Sequence, residues 1–126
     1  MGADGVEATV NVSVVCGPCS NVPEIRVLES GTRLATFGVR CSGGRRDGDR
    51  TTSVPVTVWD PPAWIETLEP GVPVIVVGRL KRRFFQRSGG VGSRVDLEAE
   101  LVGRARDGRK VAAAYRRALA ALEALE

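Results

Sequence analysis

Most of the chain alternates between apolar and polar side chains, which is the pattern of half-buried β-strands. Stretches rich in Gly, Pro and Ser separate the alternating segments and predict turns. The segments predict strands at residues 8–16, 24–29, 32–41, 51–59, 72–86 and 94–102. The last segment alternates strictly, so we expect its apolar residues in the core and its acidic residues in solvent. Long helices do not alternate with these strands, which argues against a parallel sheet of βαβ units.

The spacing of apolar residues changes at two places, and each change predicts a helix. Asp60 and two prolines precede a short helix at residues 63–68, and we expect its Trp64 to plug the core. Residues 109–126 are rich in alanine and predict the second helix. Its apolar residues recur at intervals of four and three, as a seam of about two heptads: Val111, Tyr115, Ala118, Leu122 and Leu125. We expect this helix to pack in an oligomer or on its own domain.

These elements predict an all-β protein with the oligonucleotide-binding (OB) fold. We expect a five-stranded barrel with one short helix between strands 3 and 4, followed by a C-terminal helix. A chain of 126 residues is long enough for one hydrophobic core and too short for two ordinary domains. The barrel is therefore expected to occupy residues 1–105 and the C-terminal helix residues 106–126.

Basic residues are concentrated in one part of the chain, although the net charge is only +3. Residues 71–95 include six basic residues and no acidic ones, whereas residues 1–70 carry an excess of acidic residues. The six basic residues are Arg79, Lys81, Arg82, Arg83, Arg87 and Arg94. Such a cluster produces a local field that suits an anionic partner, but it is equally consistent with a solvated hairpin.

The composition excludes several kinds of catalytic and metal site. Because the chain has no histidine, it has no Ser-His-Asp triad, no Cys-His dyad and no His-ligated metal. Cys16 and Cys19 have the spacing of a thioredoxin dithiol, but the residues that follow are poor helix formers, and we interpret the motif as a coincidence. With Cys41 as a third thiolate, a fourth zinc ligand is still missing. We therefore expect no enzymatic activity, no metal and no other cofactor.

The sequence also bears on where the protein acts. No apolar run approaches the ~20 residues that a membrane-spanning helix needs. Residues 1–7 are acidic and lack the basic and apolar regions of a signal peptide, and an odd number of cysteines does not suggest a disulfide framework. We expect a cytoplasmic protein that does not act at a membrane.

Four stretches within residues 10–103 occur in the same order, and with similar spacing, in one known family. They are residues 23–26 (PEIR) followed by Ser30-Gly31, residues 34–37 (LATF), residues 51–59 (TTSVPVTVW) and residues 71–85 (GVPVIVVGRLKRRFF). The last stretch is the most specific of the four. In these motifs the chain resembles the bacterial single-stranded-DNA-binding protein family, whose members are homotetrameric OB-fold proteins.

The resemblance implies sequence-tolerant binding of single-stranded DNA without catalysis. In this family bases stack on aromatic side chains while Arg and Lys follow the phosphates. Trp59 and Phe85 fall on stacking positions of the family, although Trp59 could equally be a core residue. Phe84 and Phe85 face opposite sides of a strand, so we expect one in the core and, from the family pattern, Phe85 exposed. The residues expected to contact phosphates are Arg79, Lys81, Arg82, Arg83, Arg87 and Arg94. Arg45, Arg46 and Arg50, in the polar loop, either clamp the DNA or keep the loop soluble.

The chain departs from the family pattern in two respects. Two positions that are usually aromatic are occupied by the segment at residues 41–44 and by Ser53, and this removes ~2–6 kcal/mol of stacking per protomer. The long Gly-, Pro- and Gln-rich tail that recruits repair and replication proteins in the family has no counterpart, and the predicted terminal helix stands in its place. The resemblance therefore indicates a divergent, tail-less paralogue.

These observations predict a binder of single-stranded DNA in replication, repair or recombination. We expect a nucleoid-associated homo-oligomer, a tetramer or a dimer, with no small-molecule substrate. The alternative is an OB-fold protein-interaction module that assembles with a paralogue or another partner and binds DNA weakly or not at all. A third hypothesis is an oxidoreductase that uses Cys16 and Cys19.

Overall fold

The computed structural model of the chain describes residues 8–47 and 50–125, and it forms one curled β-sheet with a helix packed on its outside. The acidic segment at residues 1–7, on which the expectation of a cytoplasmic protein partly rests, lies outside the described residues. The elements are β1 (Ser13–Pro18), β2 (Glu24–Val27), β3 (Arg33–Ser42), a 3-10 turn (Arg45–Asp47), β4 (Thr51–Trp59), α1 (Ala63–Glu66), β5 (Pro73–Arg87), β6 (Gly90–Arg104) and α2 (Gly108–Glu123). The strand order is β1-β5-β6-β4-β3-β2, and β4 and β6 pair in parallel while the other neighbours are antiparallel.

The sheet curls back on itself because the end of β1 crosses from β5 towards β3. Cys19 forms an isolated antiparallel bridge with Val39, on the strand that lies almost at the other end of the sheet. Gly17 permits this close approach, since a Cβ atom there would lie 1.8 Å from the carbonyl oxygen of Arg40. The curled sheet is consistent with the predicted OB-fold barrel. When the four-residue β2 is set aside, α1 lies between the third and fourth strands, as expected.

The main hydrophobic core fills the interior of the curled sheet. Its large buried members come from four strands, from α1 and from the segment that follows α1, and they are Phe37, Val39, Val56, Val58, Ile65, Leu68, Val74, Val76 and Leu97. Full burial of such a side chain contributes ~1.5–3 kcal/mol. Trp64 of α1 packs against this core as predicted, and the guanidinium carbon of Arg104 lies 4.7 Å from the centroid of its ring.

The helix α2 begins where the sequence predicts and packs on the outside of the barrel. Asp107 is its N-cap, and the carboxylate accepts hydrogen bonds from the backbone N–H groups of Arg109 and Lys110. Ala114 is buried with Ile75 and Val77 in a second apolar cluster. Small alanine side chains face the sheet because they let the helix axis approach it closely.

The apolar seam predicted for α2 is not the face that contacts the barrel. Of its five residues only Ala118 packs on the second cluster, whereas Tyr115 is 68% exposed and Leu122 47% exposed. The 4-3-4-3 spacing correctly predicts an amphipathic helix, but the face of α2 that packs on the barrel is the adjacent one, which carries alanines. The larger apolar residues therefore form an outward stripe, which we call the α2 stripe: Val111, Tyr115, Leu119, Leu122 and Leu125.

The strands β1 and β6 differ from their predicted forms. β1 starts later than expected and continues through Gly17 and Pro18, where Pro18 pairs with Pro73 at strand ends that need no donor from proline. In β6 the burial of two residues is the reverse of what the alternation predicts: Asp96 is fully buried, and Val95 is 43% exposed. The reason is that β5 and β6 extend beyond the barrel as a hairpin, so the core no longer covers Val95.

Within residues 8–47 and 50–125, no helix combines the length and the apolar character that a transmembrane segment needs.

Candidate nucleic-acid interface

The outer faces of β4, β6 and β5 lie side by side, and we call this surface the outer face. Alternation along β4 places Val56 and Val58 in the core, so Thr57 and Trp59 point to the outside. Trp59 is 38% exposed. Of the two alternatives left open by the sequence, the structure places Trp59 on the outer face and not in the core.

Two polar contacts hold the Trp59 ring on the outer face. The indole Nε1–H donates a hydrogen bond to Oε2 of Glu98, on the neighbouring strand β6, with an N–O distance of 3.2 Å. The guanidinium carbon of Arg83 lies 6.0 Å from the ring centroid, at the outer limit of a cation–π contact. The ring therefore has a defined orientation while a third of its surface stays accessible.

Both phenylalanines of the β5–β6 hairpin are exposed, which corrects the expectation that one is in the core. Phe84 is 70% exposed and Phe85 43% exposed. The hairpin projects beyond the barrel, so no second layer covers either of its faces. Phe85 lies over Gly92 of the paired strand, where a Cβ atom would be 2.6 Å from its ring, and alternation places it on the same side as Arg83.

Four of the six basic residues of residues 71–95 are paired with carboxylates of β6. The Nε of Arg79 is 3.2 Å from Glu100, and the Nζ of Lys81 is 3.3 Å from Glu98. The Nε atoms of Arg83 and Arg94 are 3.0 and 2.8 Å from the two oxygens of Asp96. The outer face is therefore a mixed ionic surface and not an acid-free one, because the antiparallel register brings the acidic residues that follow the basic stretch directly opposite it.

Asp96 is the fully buried member of this ionic row. Its side chain has no exposed surface, and Oδ2 accepts a hydrogen bond from the Thr57 hydroxyl at 3.2 Å. Arg94 Nη2 also donates to Oδ2 at 3.4 Å, whereas the contact with Arg83 is ionic and not aligned as a hydrogen bond. A buried carboxylate requires such partners, so Asp96 positions both guanidinium groups.

Glu98 is the accessible carboxylate at the centre of the outer face. Its side chain is 25% exposed and lies within 3.6 Å of Arg83 Nη2 as well as contacting Lys81 and Trp59. Burial would raise the pKa of Glu98, but hydrogen bonds from Trp59 and Lys81 and the charges of Lys81 and Arg83 outweigh it. The pKa of this carboxyl is therefore below its ordinary value.

The structure separates Arg82 and the three loop arginines from the outer face, whereas Arg87 stays on the side of Phe85. Arg82 points to the opposite side of β5, where its Nη1 donates to the Ser93 hydroxyl at 3.3 Å. Arg87 is exposed at the end of β5, on the same side of the strand as Phe85, and its Cδ would lie 3.3 Å from a Cβ atom on Gly92. Arg45 and Arg46 are exposed in the 3-10 turn, and Arg50 is exposed just before β4, so these three belong to the β3–β4 loop.

An open groove beside the hairpin includes a residue that sequence reasoning did not select. Its volume is about 590 Å³, and its lining residues are Arg26, Arg82, Arg83, Phe84, Phe85 and Arg94. Arg26 comes from β2, far away in sequence. Arg26 belongs to the PEIR motif, one of the stretches that carry the family resemblance, and this motif was the sequence feature that could have identified it. Only the fold shows that its side chain lies beside Phe84 and Phe85.

A polar hollow occupies the region where the family pattern expects a third aromatic residue. The Ser53 hydroxyl lies 2.9 Å from the Ser20 hydroxyl, and a Cβ atom on Gly38 would be 2.6 Å from the same Ser53 oxygen. Asn21 and Pro55 also line this hollow. Small polar side chains therefore occupy this position, and Gly38 packs closely against Ser53.

The cysteines lie in a strand context. Cys16 is exposed in β1, and Cys19 is buried with its thiol donating to the Asn21 carbonyl oxygen at 2.9 Å. The next element after the motif is the strand β2 and not a helix, and burial raises the pKa of the Cys19 thiol, which opposes thiolate formation. In the same residues no three potential metal ligands form a cluster.

Comparison with known proteins identifies the family. Residues 10–105 match the single-strand binding protein family, and this segment includes all six described strands and α1. A comparison with curated protein sequences gave no significant match. The matched segment covers well over half of the chain and contains Trp59, Phe85 and the ionic row of β6. The chain therefore belongs to the single-strand binding protein family.

Proposed function

We propose that this protein binds single-stranded DNA on the outer face, with Trp59 and Phe85 stacking on bases and Arg79, Lys81, Arg83 and Arg94 contacting phosphates. Family membership makes it a non-enzymatic binder of single-stranded DNA in general. The observation that carries the finer proposal is the accessible Trp59 ring with the Arg83 guanidinium beside it on a sheet face. An aromatic surface flanked by cations suits an unpaired base and its phosphate.

The proposed binding is tolerant of sequence. Aromatic faces and cations contact features that every nucleotide has, so stacking and phosphate contacts of this kind do not read the base sequence. We propose that this binding serves DNA replication, repair or recombination in the cytoplasm, at the nucleoid. Arg87 and the loop residues Arg45, Arg46 and Arg50 would add electrostatic attraction at the edges.

The proposal also includes self-association into a dimer or tetramer. The α2 stripe exposes several large apolar side chains on one helical face, at the spacing of helix–helix contacts. Covering this face with a second copy would remove it from water. A mass measurement by light scattering, over a range of protein concentrations, tests the proposal, and a monomer at all concentrations would contradict it.

A second candidate function is a protein-interaction module that binds DNA weakly or not at all. Two observations favour it: the α2 stripe offers a protein-binding surface, and carboxylates already pair with four of the six hairpin cations. In that case a stable complex with the partner forms without DNA and is lost when residues 109–126 are deleted.

Titration with oligo-dT distinguishes the two functions. Trp59 fluorescence should be quenched on binding, and the affinity should fall steeply as salt is raised. The chain has two tryptophans, so the titration is repeated with Trp64→Phe, which leaves Trp59 as the sole tryptophan. No quenching and no change in DNA anisotropy at low salt would exclude DNA binding on this face and favour the interaction module.

A further inference from the structure

Glu98 contacts three of the side chains that we propose for DNA binding. Its carboxylate accepts a hydrogen bond from Trp59 Nε1, lies 3.3 Å from Lys81 Nζ and lies 3.6 Å from Arg83 Nη2. A phosphate that contacts Lys81 or Arg83 must therefore approach a carboxylate that already holds both cations. Repulsion between the two anions opposes such an approach.

Most of the cations on the outer face are already paired with carboxylates before any ligand binds. Four cations of the hairpin, Arg79, Lys81, Arg83 and Arg94, face three carboxylates, Asp96, Glu98 and Glu100. Arg117 of α2 also contacts Glu100, at 3.2 Å. The electrostatic part of DNA affinity depends on the number of phosphates that cations neutralise, so each internal pair reduces it.

We propose that Glu98 is an affinity-limiting residue of this interface: its carboxylate competes with DNA phosphates for Lys81 and Arg83. The inference rests on the proposed function and adds an internal competitor to it. Glu98 is the member of the row that can act in this way, because its side chain is 25% exposed and can turn away when a phosphate arrives. Asp96 has no exposed surface and is held by Thr57, so it is a positioning residue for Arg83 and Arg94.

The groups around Glu98 favour the charged form of its carboxylate. The hydrogen bonds and cations around Glu98 outweigh the effect of its burial and lower its pKa, so the carboxylate is ionised at neutral pH. It also has a second role, since it is the acceptor for the Trp59 indole. Removing the charge while keeping that acceptor is therefore the informative change.

The substitution Glu98→Gln makes this change, because glutamine has the same shape and keeps a carbonyl oxygen for Trp59 Nε1. We expect Glu98→Gln to bind oligo-dT roughly two- to fivefold more tightly than the wild type, because a partly exposed ionic contact contributes up to about 1 kcal/mol. The slope of log affinity against log salt should become steeper by about 0.7, the equivalent of one more neutralised phosphate. The matched control is Glu69→Gln, which removes the same charge at an exposed site away from the outer face.

A double-mutant cycle separates competition from a structural effect. If Glu98 occupies Lys81, the substitution Lys81→Ala should weaken DNA binding more in the Glu98→Gln background than in the wild type. A purely structural role of Glu98 would give the same loss in both backgrounds and would overturn the inference. Circular dichroism melting of each variant checks that all of them are folded.

The outcomes for the inference and for the proposed function differ. If the wild type binds oligo-dT and Glu98→Gln binds equally or less well, the inference is wrong while the proposed function stands. If the wild type fails to bind at low salt and Glu98→Gln binds, the inference is supported while the proposed function is wrong for the wild-type protein. If neither protein binds at low salt, both the inference and the proposed function are wrong.

Discussion

Trp59 and Glu98 are joined across the junction between β4 and β6, with the indole N–H donating to the carboxylate over 3.2 Å. The two residues are 39 positions apart in sequence, and the parallel pairing of β4 with β6 brings them together. Glu98 thus orients the Trp59 ring, which suits stacking on a nucleobase, while its negative charge repels the phosphate of the same nucleotide. The outer face combines an attractive and a repulsive element in one contact.

The substitution Trp59→Ala should remove most of the fluorescence response to oligo-dT and weaken binding by ~1–3 kcal/mol, because one stacking surface is lost. Anisotropy of a labelled oligo-dT measures the affinity independently of tryptophan. Trp64→Phe is the control, since Trp64 packs against the core and should not contact DNA. If Trp59→Ala and the wild type bind oligo-dT with equal affinity, Trp59 does not contribute to DNA binding.

The substitution Phe85→Ala should also weaken DNA binding by ~1–3 kcal/mol, because a second stacking surface is lost. Phe84→Ala is the control, since Phe84 is exposed on the opposite face of β5. Both residues are exposed, so neither substitution leaves a core cavity, and the melting temperature should change little in either case. If Phe84→Ala has the larger effect on affinity, DNA contacts the Arg82 side of the hairpin instead of the outer face.

The substitution Leu122→Glu should reduce the mass of the oligomer, since it places a charge in the middle of the α2 stripe. Sedimentation velocity at several concentrations measures the change. Arg116→Ala alters the net charge by the same amount on another side of α2 and should leave the mass unchanged. An unaltered oligomer in Leu122→Glu would show that the subunits assemble through the barrel.

The stability conferred by Glu98 should depend on pH in a defined direction. The folded protein lowers the pKa of Glu98, so its contribution is present above the ordinary pKa of glutamate and is lost as the pH falls through the lowered value. We expect the wild type to be more stable than Glu98→Gln at neutral pH, by no more than about 1 kcal/mol for a partly exposed ionic contact. Urea unfolding of both proteins at neutral and acidic pH should show this gap closing in acid. A gap that widens in acid would mean that the carboxylate is not held by Lys81 and Arg83.

The local pattern of the sequence was sufficient for the strands and for the main core. Alternation in β4 places Val56 and Val58 on one face, and the near-continuous apolar run at residues 72–78 predicts a buried strand. The structure buries Val56, Val58, Val74 and Val76. These predictions succeed because the side chains of a strand alternate between its two faces, a property that depends only on adjacent residues. The family motifs are likewise contiguous stretches, so they could be recognised without knowledge of the fold.

The charge of the interface could not be predicted in the same way. Along the chain, Arg79 to Arg94 form a basic segment, and the carboxylates that neutralise it begin at Asp96. Their pairing depends on the register of β5 against β6, which shifts at an irregularity between Val77 and Gly78. A register is set by contacts between distant parts of the chain and by the backbone approach at Gly78, where a Cβ atom would lie 2.0 Å from the Glu98 carbonyl oxygen.

The sequence by itself determined the fold class, the family and the residue types available for binding. Only the tertiary structure decided which of these residues share a surface. Phe84 and Phe85 are both exposed to solvent because their hairpin extends beyond the barrel. The alanine face of α2 packs against the sheet, and the larger apolar residues of the helix point outwards. The physical reason is that burial and ion pairing depend on what packs against a side chain, and that neighbour is supplied by a different part of the chain.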